Sequence, residues 1–356
     1  MDIGICVPSH IGDIGYIVRA EEQGYSHAWC ADSQMLWSDC YAVLALVADK
    51  TSRIKIGTGV AITGTRPPAV NAAGIATINA IAPGRTFFGV GAGNTAMRVM
   101  GQPPQKIAQF GRYLREIKPL LTGDESNIHF DNQNIPIRHI MPDKGFVNFE
   151  DKIPMYVSGF GPKSLALAGK YGDGAVIGTP SSGASMENVW LKLEAGARDA
   201  GREINRQEYY MTSLAAMIVL DDGEAVDSER VKYHCGAMVM ASVHFSYDQW
   251  RNFGFQPPGH MAEIWDDYTA LLESVPEKQR HQRIHAGHNC WVVPEEEKFL
   301  TKALIERTCM VGTQEDLVER LREFETSGLN QIMNLPSFDP RFEVLERVAK
   351  DVIPYV

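Results

Sequence analysis

Short apolar runs of strand character alternate with segments of helical period along nearly the whole chain, and this rhythm restricts the fold more than any other feature. A continuously apolar run is a strand covered on both faces, and strands separated by helices pair in parallel. Asp2–Val7, Tyr25–Ala31, Arg53–Ile62 and Arg85–Val90 are the first such runs. Between them Asp13–Gln23, stopped by Gly24, Tyr41–Asp49 and Pro68–Ala80 carry the helical period. The rhythm continues through the helix Gln109–Leu121, the strand Pro154–Ser158, the helix Pro162–Lys170 and the strand Gly174–Gly178. Next come the helix Met186–Ala200, a strand over Tyr209–Leu220, the helix Gln314–Ser327, the strand Gln331–Leu335 and the helix Phe342–Val352. Eight strands in order, each with its helix, predict a closed (β/α)8 TIM barrel rather than an open doubly wound sheet.

Two stretches break the rhythm. Residues about 123–153 are polar and contain proline, with weak strand character; residues about 222–308 are mostly helical and rich in histidine and aromatics. Both exceed an ordinary connection, so they read as insertions. No repeat or low-complexity linker separates them, and residues 1–356 are read as a single domain.

With 356 residues, 44% of them hydrophobic, the chain can bury a large core without disulfides or metals. Its net charge of −10, without basic runs, predicts no nucleic-acid partner and no anionic membrane. Cys6, Cys30, Cys40, Cys235, Cys290 and Cys309 lack the close spacing of a zinc site or disulfide framework and read as reduced thiols. The chain opens directly on a strand, and no apolar stretch approaches the roughly 18–20 residues of a membrane span. A cytoplasmic protein is expected.

A barrel carries its site at the C-terminal ends of its strands, where four segments concentrate glycine and small polar residues. In Gly57-Thr58-Gly59-Val60, two glycines inside a strand argue for a bulge or a close ligand approach, or for a bend at a barrel corner. Gly89-Val90-Gly91-Ala92-Gly93-Asn94 is expected to leave backbone N–H groups free for an anion or a ring edge. It does not fit the GxGxxG dinucleotide fingerprint, so simple NAD binding is rejected. Ser158-Gly159-Phe160-Gly161-Pro162-Lys163 leads from strand to helix with Pro162 in the first turn, which is phosphate-site geometry; Lys163 either adds charge or lies in solvent. Asp32, followed by Ser33 and Gln34, either orients a ring or substrate or caps the next segment, and spacing alone favours the cap.

The blocks IKIGTGVAITGTRPPAV, GRTFFGVGAGNTAMRVMG and PMYVSGFGPKSLALAGKYGDGAVIG resemble those of the bacterial-luciferase-like superfamily, in particular the methylenetetrahydromethanopterin reductase subgroup. The similarity runs over residues 1 to about 180 and resumes near MVGTQEDLVERLREFETSGLNQI. The resemblance implies a barrel, usually a homodimer, binding FMN or the deazaflavin coenzyme F420. By the same resemblance, Gly59-Val60, followed by Ala61, matches a non-prolyl cis bulge backing the ring. Gly91, Ala92, Gly93 and Asn94 match the loop beside ring and ribityl chain, and Gly159–Lys163 the cofactor-phosphate site. One departure is visible: methanopterin reductases and several F420-using relatives carry Asp-His at the end of the second strand, where this chain has Asp32-Ser33.

His281, His285 and His288, beside Cys290, would share a face if their segment were helical. No nearby acid completes a ligand set, and no metal is expected. His288, in the Ala-Gly-His turn, is the imidazole singled out for proton work at the barrel mouth, against an ordinary core or surface position. His10, Ser33 and Trp37 are candidate substrate contacts. Trp37, Trp250, Phe253, Phe255 and Trp265 wall a cavity or simply pack a core, and Pro257-Pro258-Gly259 marks a rigid turn compatible with a lid.

The leading expectation is an FMN-dependent monooxygenase using O2 and reduced flavin from a separate flavin reductase, with Asp32, Asn94 and His288 in the catalytic roles. The alternative is a coenzyme F420-dependent oxidoreductase moving hydride to or from a carbonyl, alcohol or imine. The second alternative is a non-catalytic flavin-binding protein.

Overall fold

The computed structural model describes residues 1–356. Eight strands form the frame: β1 Asp2–Val7, β2 His27–Cys30, β3 Lys55–Thr58, β4 Thr86–Gly91, β5 Met155–Ser158, β6 Gly174–Ile177, β7 Tyr210–Ala215 and β8 Gln331–Asn334. They pair in the order β3-β2-β1-β8-β7-β6-β5-β4, and β4 pairs back onto β3. Parallel registers such as Ile5↔Ala28, Trp29↔Gly57, Ile56↔Thr86 and Tyr156↔Gly174 make this a closed (β/α)8 barrel.

The chain resolves into two compact units, and each is described by itself. The first comprises Met1–Met97, Pro103–Leu214 and Glu323–Met333. The helices Ile14–Glu22, Cys40–Lys50, Pro68–Ile81, Ile107–Leu120, Pro162–Tyr171 and Gly183–Asp199 follow β1 to β6 in turn. Local signals set their ends. Asp39 accepts hydrogen bonds from the Tyr41 and Ala42 N–H groups at 3.0 and 3.1 Å, and Pro68 opens its helix where no N–H is needed.

Inside the ring, aromatic side chains meet across strands that are not neighbours. Trp29 on β2 lies 4.3 Å from Phe87 on β4 and 5.7 Å from Tyr156 on β5, and Tyr156 stacks on Tyr210 of β7 at 5.2 Å. Such contacts exist only through the interior. A buried ring of this kind contributes roughly 1.5–3 kcal/mol. The Trp29 indole N–H donates to Oε1 of Gln331 on β8 at 2.9 Å, and Thr212 Oγ1 donates to the same oxygen.

The 123–153 excursion folds as a hairpin, Ser126–Phe130 with Gln133–Ile137. Its two turn residues, Asp131 and Asn132, both have positive φ (46° and 59°), the turn that matches strand twist. The expected strand Tyr209–Leu220 is not one strand. β7 ends at Ala215, and Met217–Val219 pairs instead with Met310–Gly312.

The second unit comprises Arg98–Gln102, Ala215–Arg322 and Asn334–Val356. Its main helices are Glu229–Phe253, Ala262–Glu273, Glu277–Arg283, Lys302–Thr308 and Arg341–Asp351. Trp250 and Trp265 meet edge to face at 6.1 Å within it, with Trp265 8% exposed, whereas Phe253 and Phe255 are exposed. No helix in the chain is long and apolar enough to cross a membrane.

Candidate functional site

β3 stops at Thr58 and the same strand path resumes at Ala61–Ile62, which pairs with Val90 and Gly91 of β4. The two residues between form a bulge with a cis Gly59–Val60 peptide bond. Thr58 and Ala61 are buried, while Gly59 and Val60 are only half-buried, so the bulge breaks the surface at the C-terminal end of the ring. The Gly59 N–H still donates to Cys30 O at 2.7 Å. Trp29 is the floor beneath: a Cβ on Gly59 would stand 2.6 Å from the Trp29 Cβ.

The glycines around the bulge serve packing more than ligand approach. A Cβ on Gly89 would collide with Thr58 O, and one on Gly91 would lie 2.8 Å from a Val60 methyl. Gly91 O accepts from the Thr63 N–H and Gly89 O from the Thr58 hydroxyl. The Val60 side chain therefore occupies the room these glycines leave. Gly93, with φ +83°, turns the chain into a short helix, Asn94–Val99, that the strand–helix rhythm did not predict; Asn94 opens it, and Ala92 O accepts from the Gln105 N–H.

Asp32 follows β2 and is 3% exposed. Its Oδ2 accepts from the Ile62 N–H at 3.2 Å and from Arg66 at 2.6 Å, and its Oδ1 accepts from Gln34 Nε2 at 2.6 Å. Asp32 thus fastens the strand beyond the bulge to the loop after β2. Arg66 reaches on to Asp39 at 2.7 Å and lies 5.2 Å over the Tyr41 ring. Burial opposes the Arg66 charge, but Asp32 and Asp39 outweigh it and raise its pKa. Arg66 was not among the expected site residues. Spacing carried no signal for it, because it meets Asp32 only through the pairing of β2 with β3.

The turn after β5 is tight. The Gly159 N–H is spent on Val176 O of β6 at 2.9 Å, and the Gly161 N–H donates to Ser164 Oγ at 3.2 Å. Pro162 has no N–H, which leaves the first-turn N–H groups of Lys163 and Ser164 without intrahelical acceptors. Ser158 is half-buried, and Phe160 and Lys163 are exposed. Of the donors expected here, the helix end remains and the Gly159 amide does not.

Two further loops border this end of the ring. Ser9 Oγ donates to Ala31 O at 2.6 Å, and the Ser38 N–H donates to Ser9 O, tying the loop after β1 to the loop after β2. His10 is exposed and accepts from the Gly12 N–H through Nδ1 at 3.1 Å. Ser33 is buried and Trp37 half-buried, with the Trp37 N–H donating to Ser33 O. The first unit therefore brings together Asp32, Gly59–Ala61, Gly91–Asn94 and Ser158–Lys163 on one end of the barrel, with His10, Ser33 and Trp37 in the adjoining loops.

His288 belongs to the second unit. The segment carrying it is not one helix: Glu277–Arg283 ends before His285, and residues 284–290 are turns with positive φ at Gly287 and Asn289. His281, His285 and His288 do not share a helical face.

No thiol near the bulge is a nucleophile. Burial pushes Cys6 up to about 12 and raises Cys30 further. Two buried acceptors at this end lack any donor in the protein, Gln34 Oε1 beside Asp32 and Gln105 Oε1 beside Thr63.

Known proteins resemble this chain in both fold and sequence. The structure of coenzyme F420 dependent tetrahydromethanopterin reductase from Methanopyrus kandleri superposes with a TM-score of 0.70, covering 99% of this chain and 98% of that one at 20% identity. The 5,10-methylenetetrahydromethanopterin reductase of Methanolobus tindarius is 31% identical over 95% of this chain and 94% of its own length. An F420-dependent glucose-6-phosphate dehydrogenase of Kineococcus radiotolerans is 31% identical over 75% of this chain and 83% of its own. The profile of the luciferase-like monooxygenases matches residues 7–331, and the chain belongs to that oxidoreductase family.

Proposed function

We propose that this protein is a coenzyme F420-dependent oxidoreductase that moves a hydride to or from a carbonyl, alcohol or imine carbon. The observation that carries this reading is the 31% identity, over three quarters of the chain, to a dehydrogenase named for its dependence on F420. When bound, a deazaflavin supplies a two-electron carrier that delivers hydride rather than reacting with oxygen. The site suits such a group. Gln34 Oε1 and Gln105 Oε1 need donors that the protein does not provide, and ring N–H and ribityl hydroxyl groups are donors of that kind. The first turn at Lys163 and Ser164 offers N–H groups at a positive helix end, where a phosphate would be held. Gly59, Val60 and Ala61 would back the ring, and Gly91–Asn94 would border it. Asp32 acts as a positioning residue, since its oxygens already hold Ile62, Arg66 and Gln34.

The test is titration of the purified protein with oxidised and reduced F420 and, separately, with oxidised and reduced FMN. Saturable binding of F420 that is at least tenfold tighter than that of FMN is expected. Tighter binding of reduced FMN overturns the proposal in favour of the second reading, a flavin-dependent monooxygenase. One observation favours that second reading: the family takes its name from monooxygenases.

A further inference from the structure

The second unit concentrates buried polar atoms that have no partner. Glu296, 1% exposed, accepts from His244 Nε2 at 3.0 Å and from Arg283 Nη1 at 2.7 Å. Around this pair, His244 Nδ1, Tyr268 Oη, Arg283 Nη2 and both ring nitrogens of His285 lack a hydrogen bond. Buried polar groups are almost always paired, so a cluster of unpaired ones points to a missing occupant. His285 is 3% exposed and meets the His288 ring edge-on at 5.4 Å. The turn that carries it is enforced by Gly287 (φ +71°), where a Cβ would strike Trp291 O.

No acid acts directly on His285. The groups acting on His285 are His244, Arg98 and His281, every one basic. The acids nearby are committed elsewhere, Asp248 to Arg98 at 3.4 Å and Glu296 to Arg283 and His244. Tyr268 lies against the Glu296 side of the cluster, and Glu295 stands 3.8 Å from Arg283 toward solvent. Burial first, and then those basic neighbours, hold the His285 imidazole down at about 3. His288 is lowered in the same way, by burial and then by His285 and His244.

We propose that His285 and the basic groups around it form a subsite for an oxyanion, the carboxylate or phosphate group of a small ligand. Such a group accepts from the Arg283, Tyr268 and imidazole donors that the protein leaves without an acceptor. The anion favours the protonated ring, so its binding raises the pKa of His285. Affinity therefore increases as pH falls. This inference concerns the second unit alone and does not rest on the identity of the redox cofactor.

The test uses the full chain labelled with 15N-histidine and reads the ring signals of His285 by NMR. Inorganic phosphate is titrated in one arm and acetate in another, at constant ionic strength between pH 5 and 7. We expect saturable shifts of His285 in at least one arm, with an affinity that rises as the pH is lowered from 7 to 5. His285→Gln should weaken this binding at least fivefold while the thermal midpoint stays within a few degrees. His285 signals that stay fixed in both arms overturn the proposal, as does an unchanged affinity in a folded His285→Gln protein. If that variant fails to fold, the wild-type titration decides alone. A second sample labelled with 15N-glycine reports separately on phosphate at the barrel turn through the Gly159 and Gly161 amides, so the two sites can fail independently.

Discussion

A carboxylate with three donors on its two oxygens has little left to offer a substrate, and Asp32 is in that position. Removing its charge leaves the Arg66 guanidinium, 14% exposed, with Asp39 as its remaining acid. Asp32→Ala should cost about 3 kcal/mol, at the lower end for a broken buried pair because Asp39 remains. Urea unfolding monitored by circular dichroism measures it, and a loss under about 1 kcal/mol would show that the pair is not an anchor. Gly93 presents a sharper case, because its φ of +83° and the Ile62 methyl that a Cβ there would strike exclude a side chain on two counts. Gly93→Ala should destabilise by at least about 2 kcal/mol in the same measurement. Asp32 could be picked out from the sequence because a polar group at a strand end is conspicuous. Its partner could not, since Arg66 lies 34 positions away and the two meet only because β2 and β3 are neighbours. The glycines were legible as special, but their reason was not: whether a Cβ is excluded by a ligand or by Val60 depends on atoms that spacing does not reveal.

At the scale of elements, Asp173 ties three together. It precedes β6, accepts from the Met155 N–H at the start of β5 at 2.9 Å, and pairs at 2.6 Å with Lys118 on the helix Ile107–Leu120. Burial alone would raise its carboxyl, but Lys118, the Met155 N–H and Lys152 together hold it below the ordinary carboxylate range. A folded-state pKa below the unfolded one contributes stability above the unfolded value, near 4, and loses it as pH falls through the depressed value. Wild-type protein should therefore lose stability from about pH 4 downward. Asp173→Asn should be less stable at pH 7 and show a shallower acid limb in thermal melts across pH 2–7; an acid limb as steep as the wild type's would remove Asp173 as its source. The alternation of strands and helices could be read because each element buries its own apolar face. The break at Ala216 could not, because Tyr209–Leu220 is one apolar run and only Met310–Gly312, nearly a hundred residues later, claims Met217–Val219. The histidine segment misled in a similar way, since a period of three and four fits a helix, but the helix ends at Arg283 and residues 284–290 are turns with positive φ at Gly287 and Asn289.

For the molecule as a whole, all six cysteines are free and buried. Burial raises Cys6, Cys30 and Cys40, and Cys235 is raised first by its hydrogen bond with Cys309 and then by burial. An aromatic disulfide reagent at pH 8 should titrate almost no thiol in the native protein and six after unfolding. A rapid native reaction would mark a segment that opens easily. The closed order of the ring has a further outcome during synthesis. β8, which begins at Gln331, lies between β1 and β7, and its Gln331 amide oxygen receives the Trp29 indole N–H across 302 positions. A nascent chain therefore leaves the ribosome with a gap beside β1 until Gln331–Asn334 emerge. Its hydrogen-bonding edge stays open to other chains until then. A product truncated before residue 331 should accumulate as an aggregate or remain bound to chaperones, however complete its first seven strands are.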